Sequence, residues 1–440
     1  MAAAQSLRPS RHIVERLGGV RGTVKSVQRM RVGYADGDEV IALGLAGSRL
    51  FAGERYGRIL GPAAEMLSMA AQAASMGIPA EPLTLHTSGG HTEALHAFVA
   101  ELSGNLPFDP VEHPEWRVDL HAEGASAVHA AVEGLLGTVA PHRRTVAVAD
   151  SSYHGPKGTS PGSPAMGGAS GPQYAQAVYP APTAHKLEPG ETVDQLGARC
   201  FDDFTAWLHE VGPEIGVLLV EPQWGSSVAA QPWPAAWLRA TVEAAQSFGI
   251  RVLCDEIMCG LYRHGRGGLW LAPTVGITCD AYTIGKGLGG GAFPLAAAVF
   301  ADGASLDASS IGHRHTFSGA SAMALETATE VLRTVPEVEG NVALIGEVMA
   351  DTLGPAASDL GIMVHGQGAL WGGLVPPTVT TALRPACAAH GVQVYSVGCG
   401  FMLTPPLDAE LTEIEEGCLR LVAALQEVCG DIPVADWGQL

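Results

Sequence analysis

The sequence predicts an α/β protein with a large domain, built on a mostly parallel sheet covered by helices, and a smaller α/β part. Two observations carry this prediction. Ile215–Val220, Arg251–Cys254 and Ala281–Ile284 are short apolar runs, and a helical stretch, Pro234–Phe248, separates the first two. Buried strands alternating with helices imply parallel pairing with both sheet faces covered. The chain also has 440 residues, too many for one small core.

Taken in order, residues 1–61 look mixed. Val32–Tyr34 and Glu39–Ala42 form a hairpin across the turn sequence Ala35-Asp36-Gly37-Asp38. The large domain is expected over 62–328. Its helices are read at Pro62–Met76, Thr92–Leu102 and Ala125–Gly137, with a β-rich run at Thr145–Ala149. Pro294–Phe300 is a further apolar run, and a second α/β portion is expected over 329–440. The stretch from Tyr153 to about Thr183 is rich in Gly, Pro and Ser. It follows a strand, where open α/β sheets bind ligands.

Composition excludes several classes. With 47% hydrophobic and 16% charged residues, the chain is globular, not disordered. A formal charge of −20 with scattered Lys and Arg repels phosphate backbones, so no nucleic-acid partner is expected. No window reaches eighteen uninterrupted apolar residues, which argues against a membrane span. Met1–Arg11 holds no apolar core of signal-peptide length, and the eight cysteines are dispersed. A cytoplasmic location with reduced thiols is expected, and no metal site.

Three apolar strands end in polar residues that converge at one sheet edge. Val220 is followed by Glu221-Pro222, Cys254 by Asp255-Glu256, and Ile284 by Gly285-Lys286-Gly287. A lysine and a carboxylate at such positions are partly desolvated, which strengthens their interaction. It also lets the lysine act as a nucleophile toward a carbonyl. On this geometry alone a structural Asp–Lys ion pair remains the alternative.

The segments VLLVEPQWG, GIRVLCDEIMCGLYRHGRGG, CDAYTIGKGLGGGAFPLAAAVF and HRHTFSGASAMA resemble class III aminotransferases in order, spacing and content. Upstream, VDLHAEGASAVHAAVEGLL is similar to that family's phosphate-binding turn and helix, and ADSSYHGPKGTS to its Tyr-His-Gly loop. The resemblance covers roughly residues 30–430. It implies the fold of type I enzymes dependent on pyridoxal 5′-phosphate (PLP), with a small domain assembled from both termini. It also implies roles. Lys286 would carry the cofactor as a Schiff base and shuttle the proton, and Asp255 would keep the pyridine nitrogen protonated. Ile257 and Tyr153 would cover the two ring faces, with His154 beside Tyr153. Gly124, Ala125 and Ser126 would hold the phosphate at a helix N-terminus, and Glu221 would stand near the cofactor. Thr316 resembles the threonine that reaches the phosphate from the other subunit, so a homodimer is implied.

Some matches are decoys. Gly285, Gly287 and Gly290 fit a dinucleotide pattern but lead into Phe293-Pro294 instead of a helix. Gly158–Gly162 fits a serine-hydrolase elbow inside a Pro/Gly-rich loop. His313 and His315 make a weak metal pair, and the turn-like HTSGGHTEA at His86 has the wrong spacing to Tyr153.

Departures concern the substrate. Met402 stands where many relatives carry a carboxylate-binding arginine, and Trp224 replaces a usual glutamine. The phosphate turn reads Glu-Gly-Ala-Ser in place of Ser-Gly-Thr-Glu. Arg263 or Arg266 could replace the missing arginine, and Trp224 could offer a stacking face to an aromatic or cationic group. The expected reaction is transamination of an amino acid or amine. The alternative is a PLP-dependent lyase, decarboxylase or carbon–carbon bond-forming enzyme on the same scaffold.

Overall fold

A computed structural model describes residues 24–35, 37–44, 47, 49–77, 93–155, 175–188, 190–303 and 320–429. Thr316, the histidines 313 and 315, residues 86–92 of the motif at His86 and the Gly158–Gly162 stretch lie outside the described residues.

The N-terminal strands are β1 (Val24–Gln28), β2 (Arg31–Tyr34) and β3 (Glu39–Ala42). The expected hairpin is β2–β3, with Val32 opposite Val40. Gly37 supplies the left-handed turn residue at φ 99°. β1 adds an exposed strand that the sequence reading missed. Helices α1 (Glu54–Ser75) and α2 (Glu93–Ser103) follow. Helix α1 starts eight residues before Pro62, the expected first residue. Proline favours a first turn, yet here it sits inside the helix at the loss of one backbone hydrogen bond.

The central sheet and its helices then run β4 (Arg117–His121), α3 (Gly124–Gly137), β5 (Thr145–Ala149), β6 (Gln176–Tyr179), α4 (Val193–Val211), β7 (Ile215–Val220), α5 (Ala235–Ser247), β8 (Arg251–Asp255), α6 (Leu271–Thr274), β9 (Ala281–Ile284) and β10 (Ala296–Phe300). Strand order is β4-β10-β9-β8-β7-β5-β6. Strands β5 to β9 are mutually parallel, and β10 runs antiparallel to both β9 and β4. Alternation along each strand divides the core. Val146, Val148, Val217, Leu219 and Leu253 pack with the apolar side of α3. Their neighbours Ala147, Ala149, Leu218, Val220, Val252 and Cys254 pack on the other face with residues of α4 and α5. Fully buried strands of this kind read as continuous apolar runs, which is why β7, β8 and β9 were legible.

The C-terminal part comprises α7 (Ala322–Thr334), α8 (Glu339–Leu360), β11 (Met363–Gln367), β12 (Leu370–Leu374), α9 (Pro377–Ala389), β13 (Val392–Gln393), β14 (Tyr395–Val397), β15 (Gly400–Leu403) and α10 (Leu411–Cys429). β13 pairs in parallel with β3, so the two ends of the chain share a four-stranded sheet. The tie continues along the backbone: Thr404 N donates to Leu43 O (2.7 Å) and Leu407 N to Leu50 O (2.6 Å).

Candidate active site

The parallel strands deliver their polar residues to one edge, the carboxyl end, where such sheets bind ligands. Asp255 is the last residue of β8 and is buried. Its Oδ1 accepts from Ile257 N (3.1 Å) and from the Thr283 hydroxyl (3.2 Å), and its Oδ2 lies 2.8 Å from His154 Nδ1. Thr283 faces Asp255 because the β8–β9 register pairs them. His154 is buried too, and among the described residues its Nε2 has no partner. Burial works against a charge on this imidazole. The hydrogen bond to Asp255 and the fields of Glu221 and Asp255 together outweigh it, so the pKa stands above the ordinary 6.5. The sequence placed His154 only beside Tyr153; its bond to Asp255 is new.

Glu221 follows β7. Its two oxygens accept from Tyr153 N and Gly225 N, both at 3.3 Å. Burial, helped by Asp255, pushes its carboxyl up to about 7 against the opposing effect of His154. Glu221 thus pins the backbone of the Tyr153 loop, and Tyr153 itself is half-buried. Glu256, which the sequence left without a role, is pushed up to about 7 mainly by burial. It accepts from Leu271 N (2.6 Å) and Ala272 N (2.8 Å), closing the loop after β8 onto α6.

Lys286 follows β9 with φ 48°, a left-handed conformation that costs a non-glycine residue energy. Ala229, Ala230, Leu261 and Tyr262 share that conformation in the loops after β7 and β8. Burial of the Lys286 amine lowers its pKa, and Asp255 and Glu221 oppose the shift without cancelling it. Two glycines make the fit possible. A Cβ on Gly287 would stand 2.5 Å from Leu50, and one on Gly124 would stand 2.5 Å from Ile257 Cδ1. Ile257 therefore touches the α3 turn, and its Cγ2 also lies 3.6 Å from a Cβ placed on Gly285. The N-terminal segment closes the site: Gly47, at φ 73°, would bring a Cβ within 3.5 Å of the Lys286 Cδ.

Gly124, Ala125 and Ser126 form the first turn of α3, where helical amides lack intrahelical acceptors. The Ser126 hydroxyl is not free, because it donates to Glu123 Oε1 at 3.1 Å.

Three of the four residues expected to read the substrate are packed, not open. Trp224 is fully buried with its ring 4.7 Å from that of Trp233, so it offers no exposed face. Among the described residues its indole N–H is without a partner. Arg263 is buried and donates from Nη1 to Ala369 O (3.1 Å) and Pro405 O (2.9 Å). Burial brings its pKa down to about 10. Two carbonyls thus take one nitrogen a carboxylate clamp would use, and buried Nη2 has no partner among the described residues. Arg266 is exposed and bonds Gln367 Oε1 at 2.6 Å. Met402 is fully buried in β15 opposite Gly372 of β12. Trp224, Arg263 and Met402 are thus packed into the interior of the protomer, whereas Arg266 lies at the surface.

A PLP site needs a lysine of depressed pKa, a carboxylate near it on the next strand, and an anion cradle at a helix N-terminus. The residues present fit all three, and the fold is that of the type I PLP enzymes. The chain belongs to the class-III aminotransferase family, whose match spans residues 79–425. It is similar to an acetylornithine aminotransferase of Mesorhizobium japonicum, 29% identical over 254 residues, covering 56% of this chain and 61% of the relative. This chain thus spans under two thirds of that relative's length. By structure it is similar to an omega-aminotransferase from Paracoccus denitrificans (TM-score 0.79, 19% identity, 98% of each chain). It also resembles the omega transaminase of Pseudomonas jessenii in complex with PMP (TM-score 0.76, 18% identity, 96% of each chain). Among the described residues, no helix is long and apolar enough to cross a membrane, and no group of three ligands could hold a metal.

Proposed function

We propose that the chain is a PLP-dependent aminotransferase acting on an amino acid or amine. The observation that carries the reading is that Lys286, just past the end of β9 and with its amine pKa lowered by burial, lies in the field of the His154-bonded Asp255 at the end of the adjacent strand β8. The aminotransferase names of the relatives favour amino transfer over the lyase and carbon–carbon alternatives. When bound, PLP serves as an electron sink for the carbon that bears the substrate's amino group. Lys286 Nζ would hold the cofactor and then carry the proton to and from that carbon. Asp255 would hold the ring nitrogen protonated, and His154 Nδ1–H would fix the carboxylate's orientation. Tyr153 and Ile257 would flank the ring, the amides of Gly124, Ala125 and Ser126 would take the phosphate, and Glu221 would hold the Tyr153 loop. Arg263, as a buried tie between loops, is better suited to support than to clamp a carboxylate.

With Met402 at the position of the usual arginine, we propose a donor that does not depend on a carboxylate clamp there, such as a larger amine or amino-acid derivative. The working unit is proposed to be a cytoplasmic homodimer in which Thr316 serves the neighbouring site. The test is borohydride reduction followed by peptide mapping, with amino transfer to pyruvate and 2-oxoglutarate followed across a panel of amines. The adduct is expected on Lys286, with poor turnover of glutamate, ornithine and 4-aminobutyrate. An adduct on another lysine overturns the reading. Monomers by light scattering remove the dimer, and so does failure of mixed Lys286→Ala and Thr316→Ala protomers to regain activity.

A further inference from the structure

We propose that Glu123 sets how strongly the phosphate turn holds the cofactor, by opposing the phosphate's charge and by occupying the hydroxyl that would otherwise donate to it. The inference rests on reading the start of α3 as the phosphate turn.

Glu123 is the N-cap of α3, with extended backbone (φ −151°, ψ 157°), and its carbonyl accepts the first helical bond, from Ala127 N at 3.2 Å. Its carboxylate makes no cap bond to the amides of that turn. A helix N-terminus attracts one anion, and an N-cap carboxylate ordinarily fills that role itself. Here the side chain is exposed and turned to the Ser126 hydroxyl, which donates to Oε1 at 3.1 Å. The amides of Gly124, Ala125 and Ser126 are left to an incoming anion while a fixed negative charge stands one residue away. Ser126, the only hydroxyl of the four-residue turn Glu123–Ser126, already has an acceptor. Both effects weaken phosphate binding, and neither touches the aldehyde or ring end of the cofactor. Two unit charges about 5 Å apart near a surface repel appreciably even after screening.

The experiment compares PLP with pyridoxal, which lacks the phosphate. Each is titrated into cofactor-stripped wild type, Glu123→Gln, Ser126→Ala and the double variant, with binding read from the visible absorbance of the bound aldehyde. Glu123→Gln should tighten PLP roughly fivefold to tenfold and leave pyridoxal within about twofold, as expected for one like charge removed at a partly exposed site. In the Glu123→Gln background Ser126→Ala should remove part of the gain, because a neutral amide oxygen holds the Ser126 hydroxyl less strongly than a carboxylate does and leaves it freer to donate to the phosphate. Thermal melts check that each exposed substitution leaves the fold intact. If wild type and Glu123→Gln prefer PLP over pyridoxal strongly and equally, the phosphate turn stands and the role of Glu123 falls. If neither protein prefers PLP, the phosphate lies elsewhere, and this inference falls together with the reading on which it rests.

Discussion

Asp255, Glu221 and His154 are buried, as are Trp224, Arg263 and Met402, yet burial does different things in the two groups. In the first it perturbs acid–base groups. Glu221 is pushed up to about 7, the Lys286 amine is lowered, and His154 keeps an unpartnered Nε2 beside a carboxylate. Such perturbation concentrates where proton transfer is needed. In the second, burial serves packing: an indole against an indole, a guanidinium nitrogen on two carbonyls, a thioether in a strand. The comparison teaches that a departure from a family pattern is a change of contact before it is a change of substrate.

The sharpest test of the first region is Lys286→Ala, which should abolish both the covalent adduct and turnover. Asp255→Asn should keep the fold and still bind cofactor, yet lose at least about a hundredfold in kcat, or about 3 kcal/mol, since an amide cannot hold the ring proton electrostatically. Near-full activity in steady-state assays would dissolve the distinction between the regions.

The second region should respond through stability. Trp224→Ala removes a fully buried ring, and the expected cost is about 3–5 kcal/mol in denaturant unfolding, with kcat of the surviving folded enzyme little changed. An intact melt with lost turnover on a large amine would restore the stacking role that the sequence suggested.

Why one region was legible and the other was not follows from the physics of each. β7, β8 and β9 are buried on both faces, so their apolar runs and the polar residues that end them stand out in the sequence. Lys286, Asp255 and Glu221 could therefore be singled out as strand-end residues, and the α3 turn came from the family pattern. The bond from His154 to Asp255 spans 101 residues, and no local pattern encodes it. The placement of Gly47 and Leu50 beside Lys286 and Gly287 depends likewise on distant partners: Thr404 N donates to Leu43 O, Leu407 N to Leu50 O, and the Asp408 carboxylate accepts from Ala52 N and Gly53 N. Helix α4 was missed although its signal was present. Thr192 and Gln195 form a reciprocal capping box, which a search for Thr-x-x-Gln would have found. The packing of Trp224 against Trp233 joins two loop residues nine apart, where no periodicity applies.

A smaller effect separates the carboxylates of the first region by role. Glu256 and Glu221 both stand at about 7 in the folded chain, against 4.5 ordinarily. A raised carboxyl pKa means the native state binds more protons than the unfolded state between those values. Stability from this source is therefore full below about pH 4.5 and declines as pH rises toward 7. Among the described residues Glu256 bonds only backbone amides and a thiol, Cys254 Sγ at 3.9 Å from Oε1; Asp255 acts on it through its field alone, and Glu256 has no part in the proposed chemistry. Glu256→Gln should thus flatten the fall in melting temperature between pH 5 and 7 while leaving the pH profile of kcat in place. Glu221→Gln should flatten the same fall and also shift the kcat profile, because Glu221 shares its field with His154 and Asp255 and anchors Tyr153. Melts and rates measured on both variants over that range distinguish a carboxylate that only ties a loop from one that belongs to the reacting centre. Identical kcat profiles in the two would place Glu221 with Glu256.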